Sequence, residues 1–331
     1  MPESTPPTAS LALEHFQHPE DEASFLNLKA IAWLSKFSQS FVMADVERDL
    51  RLLSLADHVL LRRGDRPALH EALDRALAAL EFPHRPEVFL ECNPVPHSYA
   101  FGETQPLLVV TSGLLGLLDE DEQAAVIAHE VGHLKCGHTF YQMVAQSFSS
   151  LSQLAGAVPL VGAVSFGARV PLYDWYRKAD LSADRAALLA AGEPKVLVRA
   201  IAKLAGGFAQ AVTEAGLVEQ AELFERRCEE LRGGSLRDRA TYYLSTVFIQ
   251  NFLRTQPYPA VRVRELLRWA GSEHFNALKR RDFEAALRCR LKEREDPEQQ
   301  EQESWSVSQL WTDFVGFFGG EEEARAPDRE R

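Results

Sequence analysis

Apolar positions recur at intervals of three and four along most of the chain, the spacing of helices with one buried stripe. From Leu26 to Arg63 that spacing (Leu28, Ile31, Leu34, Phe37, Phe41) predicts helix. Gly64-Asp65-Arg66-Pro67 breaks it, and Pro67 to Leu80 predicts another helix, with Asp65 or Arg66 as its cap and Pro67 in its first turn. The texture changes at Pro83. Pro86 to Cys92 reads as a strand closed by Asn93-Pro94-Val95-Pro96, and Ser98–Phe101 and Leu107–Thr111 read as two more joined by a polar hairpin. Ser112 is placed to cap a short helix to Leu118. Asp119 or Asp121 is placed to cap a longer one, with Glu122 and Gln123 in its first turn.

Beyond Tyr173 the pattern is helical again: Leu172–Ala191, Pro194–Leu204, Val218–Leu231 and Leu236–Leu253, then Ala260–Ala270 after the Gln256-Pro257-Tyr258-Pro259 interruption. Arg290 to Ser304 is a charged run read as a solvated helix end or linker. Trp305 to Phe318 returns aromatics at helical spacing and is expected to dock on the body, and Gly319–Arg331 is expected to be disordered. The predicted fold is therefore α+β and mainly α-helical, with a small antiparallel sheet beside a long central helix. The expected division is a flexible start (1–25), N-terminal helices packed on the core (26–82), the main domain (83–290), a charged linker (291–304) and an amphipathic C-terminal segment with its tail (305–331).

Composition refines this without redirecting it. A 331-residue chain with 46% hydrophobic and 25% charged residues has ample core for a globular domain. A formal net charge of −12 argues against nucleic acid and against general binding to anionic lipid, both of which need a basic face. The four cysteines are scattered without a C-x-x-C pair, which suits a reducing compartment. Met1–Ser10 lacks the basic start and apolar run of a secretory signal, so a cytoplasmic location is expected. No confident membrane-spanning helix is read. Leu154–Ala168 comes nearest, within a stretch free of Asp, Glu, Lys and Arg between Lys135 and Arg169. It reads as a buried hairpin or cleft wall; a membrane-dipping element is the alternative, which leaves peripheral membrane association open.

The chemistry lies in His129-Glu130-Val131-Gly132-His133. Histidines four apart stack on one helix face and can grip one Zn²⁺, while Glu130 points to the side, where it can reach a water activated by the metal. The apolar flanks (Ala124 to Ala128, Leu134) bury that helix, and a metal gives two buried imidazoles a common partner. Gly132 permits close approach of a neighbouring element. Cys136, one helical turn past His133, reads as a packed thiol ahead of a ligand. For a third ligand, Asp180 and Asp184 share one face of a following helix: one can bind metal while the other holds a ligand histidine in its tautomer.

The run His129 to His138, followed by Arg177-Lys178-Ala179-Asp180-Leu181-Ser182-Ala183-Asp184-Arg185-Ala186, resembles the gluzincin-type zinc metallopeptidase family of HtpX and the CAAX prenyl endopeptidases. The agreement spans roughly Pro86 to Trp269. The resemblance implies a zincin-like domain and a zinc-dependent metalloendopeptidase with one Zn²⁺ per chain, acting on protein or peptide substrates. It implies Asp180 as third ligand, Asp184 behind a histidine, and Tyr99, Ala100 and Phe101 as an edge strand to which substrate backbone adds. Asp180 stands where the family normally has Glu. Gln256 stands where it usually has His, and Arg262 matches the family's later Arg; both are candidates for transition-state or structural support. The rival expectation is a catalytically impaired relative serving as a metal-stabilised peptide-binding scaffold. Oligomeric state is not set by the sequence.

Overall fold

The computed structural model describes residues 10–29, 43–102, 105–139, 141–142, 159–207, 214–242 and 256–295. The chain separates into a unit Met1–Leu287 and a second, Arg288–Arg331, of which the described part is the helix end up to Glu295. After a 3-10 turn at Leu13–His15, the elements run α1 (Pro19–Lys29), α2 (Met43–Asp57), β1 (Val59–Leu61), α3 (Pro67–Ala79), β2 (Glu87–Glu91), β3 (Ser98–Phe101), β4 (Leu107–Thr111) and α4 (Ser112–Leu117). Then come α5 (Glu120–Cys136), α6 (Pro159–Ala191), α7 (Pro194–Gly206), α8 (Glu214–Gly233), α9 (Leu236–Tyr242), α10 (Pro259–Ala270), α11 (Glu273–Lys279) and α12 (Phe283–Glu295). The fold is α+β and mainly helical, as the hydrophobic periodicity predicted.

The sheet departs from the all-antiparallel expectation. Its order is β1-β2-β4-β3, with β3 antiparallel to β4 but β2 parallel to β4, from Glu87 beside Leu107 to Glu91 beside Thr111. The chain leaves β2, crosses to the far edge, and returns through the β3–β4 hairpin into the middle. Strand alternation then buries both faces. Val88, Leu108 and Val110 join the main core with α3, α5 and α6, while Phe89, Phe101, Leu107 and Val109 pack on the other side beside Leu50 and Leu60.

The helix predicted over Leu26–Arg63 is broken up. Its described parts are the end of α1, then α2, then β1, whose Val59, Leu60 and Leu61 pair with Leu90, Phe89 and Val88 of β2. Satisfying the backbone of a sheet edge outweighs the helical spacing of the preceding leucines, a tertiary gain invisible to local pattern. The flexible start is corrected too, from residue 10 onward. Phe16 is fully buried, and the Leu11 N–H donates to Glu81 Oε2 at 2.7 Å. Helix α1 packs Leu28 and Phe25 against Tyr173 and Trp175 of α6. Burying such side chains is worth about 1.5–3 kcal/mol each.

Two caps are resolved by geometry. Thr111, rather than Ser112, caps α4 by accepting the Leu114 N–H; Arg66 is the cap residue of α3, while Asp65 accepts from the Arg62 N–H. Helix α6 begins at Pro159, so 159–168 of the apolar stretch is helical and 154–158 lies outside the described residues. Among the described residues no helix is long and apolar enough to cross a membrane. The end of the Leu236–Leu253 helix from 243 on, and residues 296–331 with Trp305–Phe318, also lie outside them.

Candidate active site

Helix α5 is built to hold its register. Asp119 Oδ1 accepts the Glu122 N–H and Glu122 Oε2 accepts the Asp119 N–H, both at 3.0 Å, a reciprocal cap worth about 1 kcal/mol. Glu122 is fully buried and also meets Arg199 and Lys203, which ties the start of α5 to α7. At the other end Gly137 turns left-handed at φ 68°, where a side chain would be strained. That reversal brings His138 back behind His133.

Along α5, the rings of His129 and His133 lie 4.7 Å apart, with Nε2 facing Nε2 at 3.1 Å. Asp180 of α6 completes the group, its Oδ1 3.3 Å from His133 Nε2. One atom from each of the three residues lies within 4.8 Å of the other two, the one such group among the described residues. Two ligands about 2.0–2.1 Å from a tetrahedral metal stand roughly 3.3 Å apart, which the His129–His133 and His133–Asp180 separations match. The donor chemistry fits as well: two imidazoles and a carboxylate leave a fourth position open, the pattern of catalytic rather than structural sites. Asp180 reaches this position despite being one methylene shorter than glutamate because α6 lies tight against α5. A Cβ added at Gly132 would stand 2.7 Å from Ala186 Cβ.

Asp184, one turn beyond Asp180, meets His129 Nδ1 through Oδ1 at 2.9 Å. Arg262 of α10 donates to the same carboxylate twice, Nε to Oδ2 at 2.8 Å and Nη2 to Oδ1 at 2.6 Å. Burial alone would raise the Asp184 carboxyl, but Arg262 and His129 outweigh it and hold it well below the usual carboxylate range. Burial likewise opposes charge on His129, yet the Asp184 hydrogen bond prevails and raises it; on His133 burial prevails and lowers it. Arg262 is raised by Asp184 against its own desolvation, so it stays a cation.

Glu130 turns into a cleft of about 620 Å³, where its Oε1 accepts from Ser98 Oγ at 2.7 Å. Ser98 and Tyr99 line that cleft from β3, the edge of the sheet, and burial above all pushes the Tyr99 phenol up to about 12. Ala100 and Phe101 are buried instead, Phe101 in the core on the far face of the sheet. Gln256 is exposed and lines the same cleft, together with Pro257, Pro259 and Arg262. Leu114, Val126, Leu197 and Ile201 give the cleft an apolar wall. Cys136 is packed into the main core, as expected of a thiol that is not a ligand.

Three contributors escaped the sequence reading. Ser98 and His138 sit inside runs that resemble the family, but nothing in their spacing singles them out. Asp21 came from the segment read as flexible: its Oδ2 lies 3.1 Å from His138 Nε2, and His138 Nδ1 lies 3.0 Å from His133 Nδ1. Burial would raise Asp21, but His138 and hydrogen bonds from His138, Ser182 and Gln17 bring it down to about 2.

A helix carrying two histidines and a glutamate, faced by a carboxylate from a second helix and an edge strand across a cleft, is the arrangement of a metal-dependent peptidase. The sequence model of Peptidase family M48 matches residues 64–270, more than half of the chain. The plastoglobule-localized metallopeptidase 48, chloroplastic, of Arabidopsis thaliana is 32% identical over 278 residues, covering 82% of this chain and 76% of that one. A protease HtpX homolog of Salinibacter ruber is 33% identical over 111 residues, 32% of this chain and 38% of the relative. The protease HtpX homolog 1 of Streptomyces coelicolor is 29% identical over 180 residues, 47% of this chain and 59% of the relative. The chain thus spans less than two thirds of either HtpX homolog. It belongs to Peptidase family M48 and is a metalloprotease.

Proposed function

We propose that the protein is a zinc-dependent endopeptidase that cleaves internal peptide bonds of protein substrates, with one zinc held by His129, His133 and Asp180. The observation that carries this reading is the convergence of those three donors beside a buried carboxylate, Glu130, that faces a cleft open to an edge strand. When bound, the zinc supplies a Lewis acid that makes water acidic near neutrality and polarises the scissile carbonyl. Glu130 takes the proton of the attacking water and passes it to the departing amine. Ser98 keeps Glu130 aimed into the cleft until substrate enters.

Extended substrate backbone pairs with β3 near Tyr99, and one side chain enters the apolar wall formed by Leu114, Val126, Leu197 and Ile201. Asp184 fixes the His129 ring with Nδ1 protonated and Nε2 free to bind. Arg262 is engaged with both Asp184 oxygens, so its role is to hold Asp184 rather than to meet substrate. Gln256, exposed in the cleft, donates a neutral hydrogen bond to the developing oxyanion, weaker than a cation would.

The weak donor at Gln256 favours one second reading, a metal-stabilised peptide-binding protein with little turnover. Glu130→Gln separates the two on unfolded casein with chelator controls. The enzyme reading expects zinc content to be retained and cleavage to fall by about 10²–10⁴-fold. Cleavage that is equal in both proteins, or absent from both, overturns it. For location we propose the cytoplasm, with peripheral attachment to a lipid surface tested by fractionation, since one relative is named for plastoglobules.

A further inference from the structure

The hydrogen bonds behind His133 lead out of the family-matched region. Asp21 belongs to α1, more than forty residues before that match begins, yet it is fully buried. Four donors converge on it: His138 Nε2 at 3.1 Å, Ser182 Oγ at 2.6 Å and Gln17 Nε2 at 2.9 Å on Oδ2, and Trp175 Nε1 at 3.0 Å on Oδ1. The Ser182 hydroxyl itself accepts the His18 N–H at 2.9 Å, which leaves its proton directed at Asp21. Taking a carboxylate out of water costs several kcal/mol, and an apolar residue would fill such a core position at less expense. The position of Asp21 therefore calls for a use.

Proton accounting supplies one. For His133 to present a lone pair on Nε2, the atom facing His129 and Asp180, its hydrogen must sit on Nδ1. That hydrogen needs an acceptor, and His138 Nδ1 is 3.0 Å away. A neutral His138 that accepts on Nδ1 carries its own hydrogen on Nε2, which points at Asp21. The other neighbour of His133 Nδ1, the Gln142 amide at 3.0 Å, sets no direction, because an amide offers a donor or an acceptor by turning over. Asp21, ionised, can only accept. It is the member of the chain that fixes which way every hydrogen points.

We propose that Asp21 is a positioning residue of the metal site, acting through His138 to hold His133 with Nε2 free for the metal, so that the N-terminal segment is an integral part of the active centre. The proposal rests on the reading of His133 as a metal ligand. Partners of this kind typically contribute 10–100-fold to metal affinity.

The test is Asp21→Asn in the full chain, which keeps the shape but offers His138 an amide that can donate. Zinc affinity is measured by competition with a chromophoric chelator, and the visible spectrum of the cobalt-substituted protein reports ligand geometry. The expected result is a 10–100-fold loss of zinc affinity and an altered cobalt spectrum. Leu28→Ala, which removes packing from the same helix, should lower the unfolding midpoint and leave both metal readouts unchanged. If Asp21→Asn does not fold, His138→Asn, which leaves Asp21 its other three donors, must show the same loss. A folded variant with wild-type affinity and spectrum overturns the proposal while leaving the metal site standing. A wild-type chain that binds neither zinc nor cobalt overturns the metal reading and this inference with it.

Discussion

Gly132→Ala tests the idea that the spacing of two helices sets the metal site. The added Cβ would meet Ala186 Cβ at 2.7 Å, Ala183 Cα at 3.1 Å and Ala183 O at 3.2 Å. Carbon atoms rest about 3.5–4.0 Å apart, so α5 and α6 must separate locally by roughly 1 Å. Alanine in a helix interior gains about 1 kcal/mol over glycine, and overpacking costs about 1–3 kcal/mol. The two nearly offset, leaving a net loss of roughly 0–2 kcal/mol. The metal site is less forgiving. Asp180 lies one turn before Ala183 on the helix that moves, whereas metal–ligand distances tolerate only about 0.2 Å. Urea unfolding of the metal-free protein should therefore show a small change, while zinc affinity measured by chelator competition falls at least tenfold. Gly116→Ala in α4, where an added Cβ meets nothing within 4 Å, is the control: it should gain stability and keep its affinity. If Gly132→Ala behaves like that control, with stability gained and zinc affinity unchanged, helix spacing does not set the site and the reasoning fails.

Arg262→Met leaves the Asp184 carboxylate buried without its cation, and should lower the unfolding free energy by about 3–5 kcal/mol; adding Asp184→Asn should recover part of it. A single variant as stable as the wild type would show that the pair holds nothing. For pH, Asp21 falls from an ordinary 3.8 to about 2 on folding, so the unfolded chain binds the proton more readily. Its contribution, about 2 kcal/mol, is complete above the unfolded value and is lost as pH drops from about 4 to 2. Asp184, also depressed, begins to lose its share in the same window and goes on losing it at lower pH. Urea midpoints of the metal-free protein should fall across that window, and less steeply in Asp21→Asn. Midpoints that are flat with pH, or equally steep in both proteins, would count against this assignment.

What could be read from the sequence was local in origin. His129, Glu130 and His133 need only helical pitch to stand as they do, and the capping box of Asp119 and Glu122 needs only the first turn of α5. The hairpin of β3 and β4 follows from turn composition between two short apolar runs, and α+β with helices in excess follows from the periods alone. Asp180 and Asp184 were legible as one face of one helix, but only packing brought that face against the histidines, through the contact of Gly132 with Ala183 and Ala186.

What tertiary structure decided depended on partners distant along the chain. Val59–Leu61 became a strand because β2 offered an unpaired edge, which no window around residue 60 contains. The central pairing became parallel because the β3–β4 hairpin returned inside the sheet rather than outside it. Asp21 looked like one acid among several in a polar start (Glu20, Asp21, Glu22), and only burial against Trp175, Ser182 and His138, more than a hundred residues away, separates it from its neighbours. Spacing along a helix is fixed by the backbone the sequence itself dictates. Proximity between segments is fixed by which apolar surfaces leave water together, and that depends on the whole chain at once.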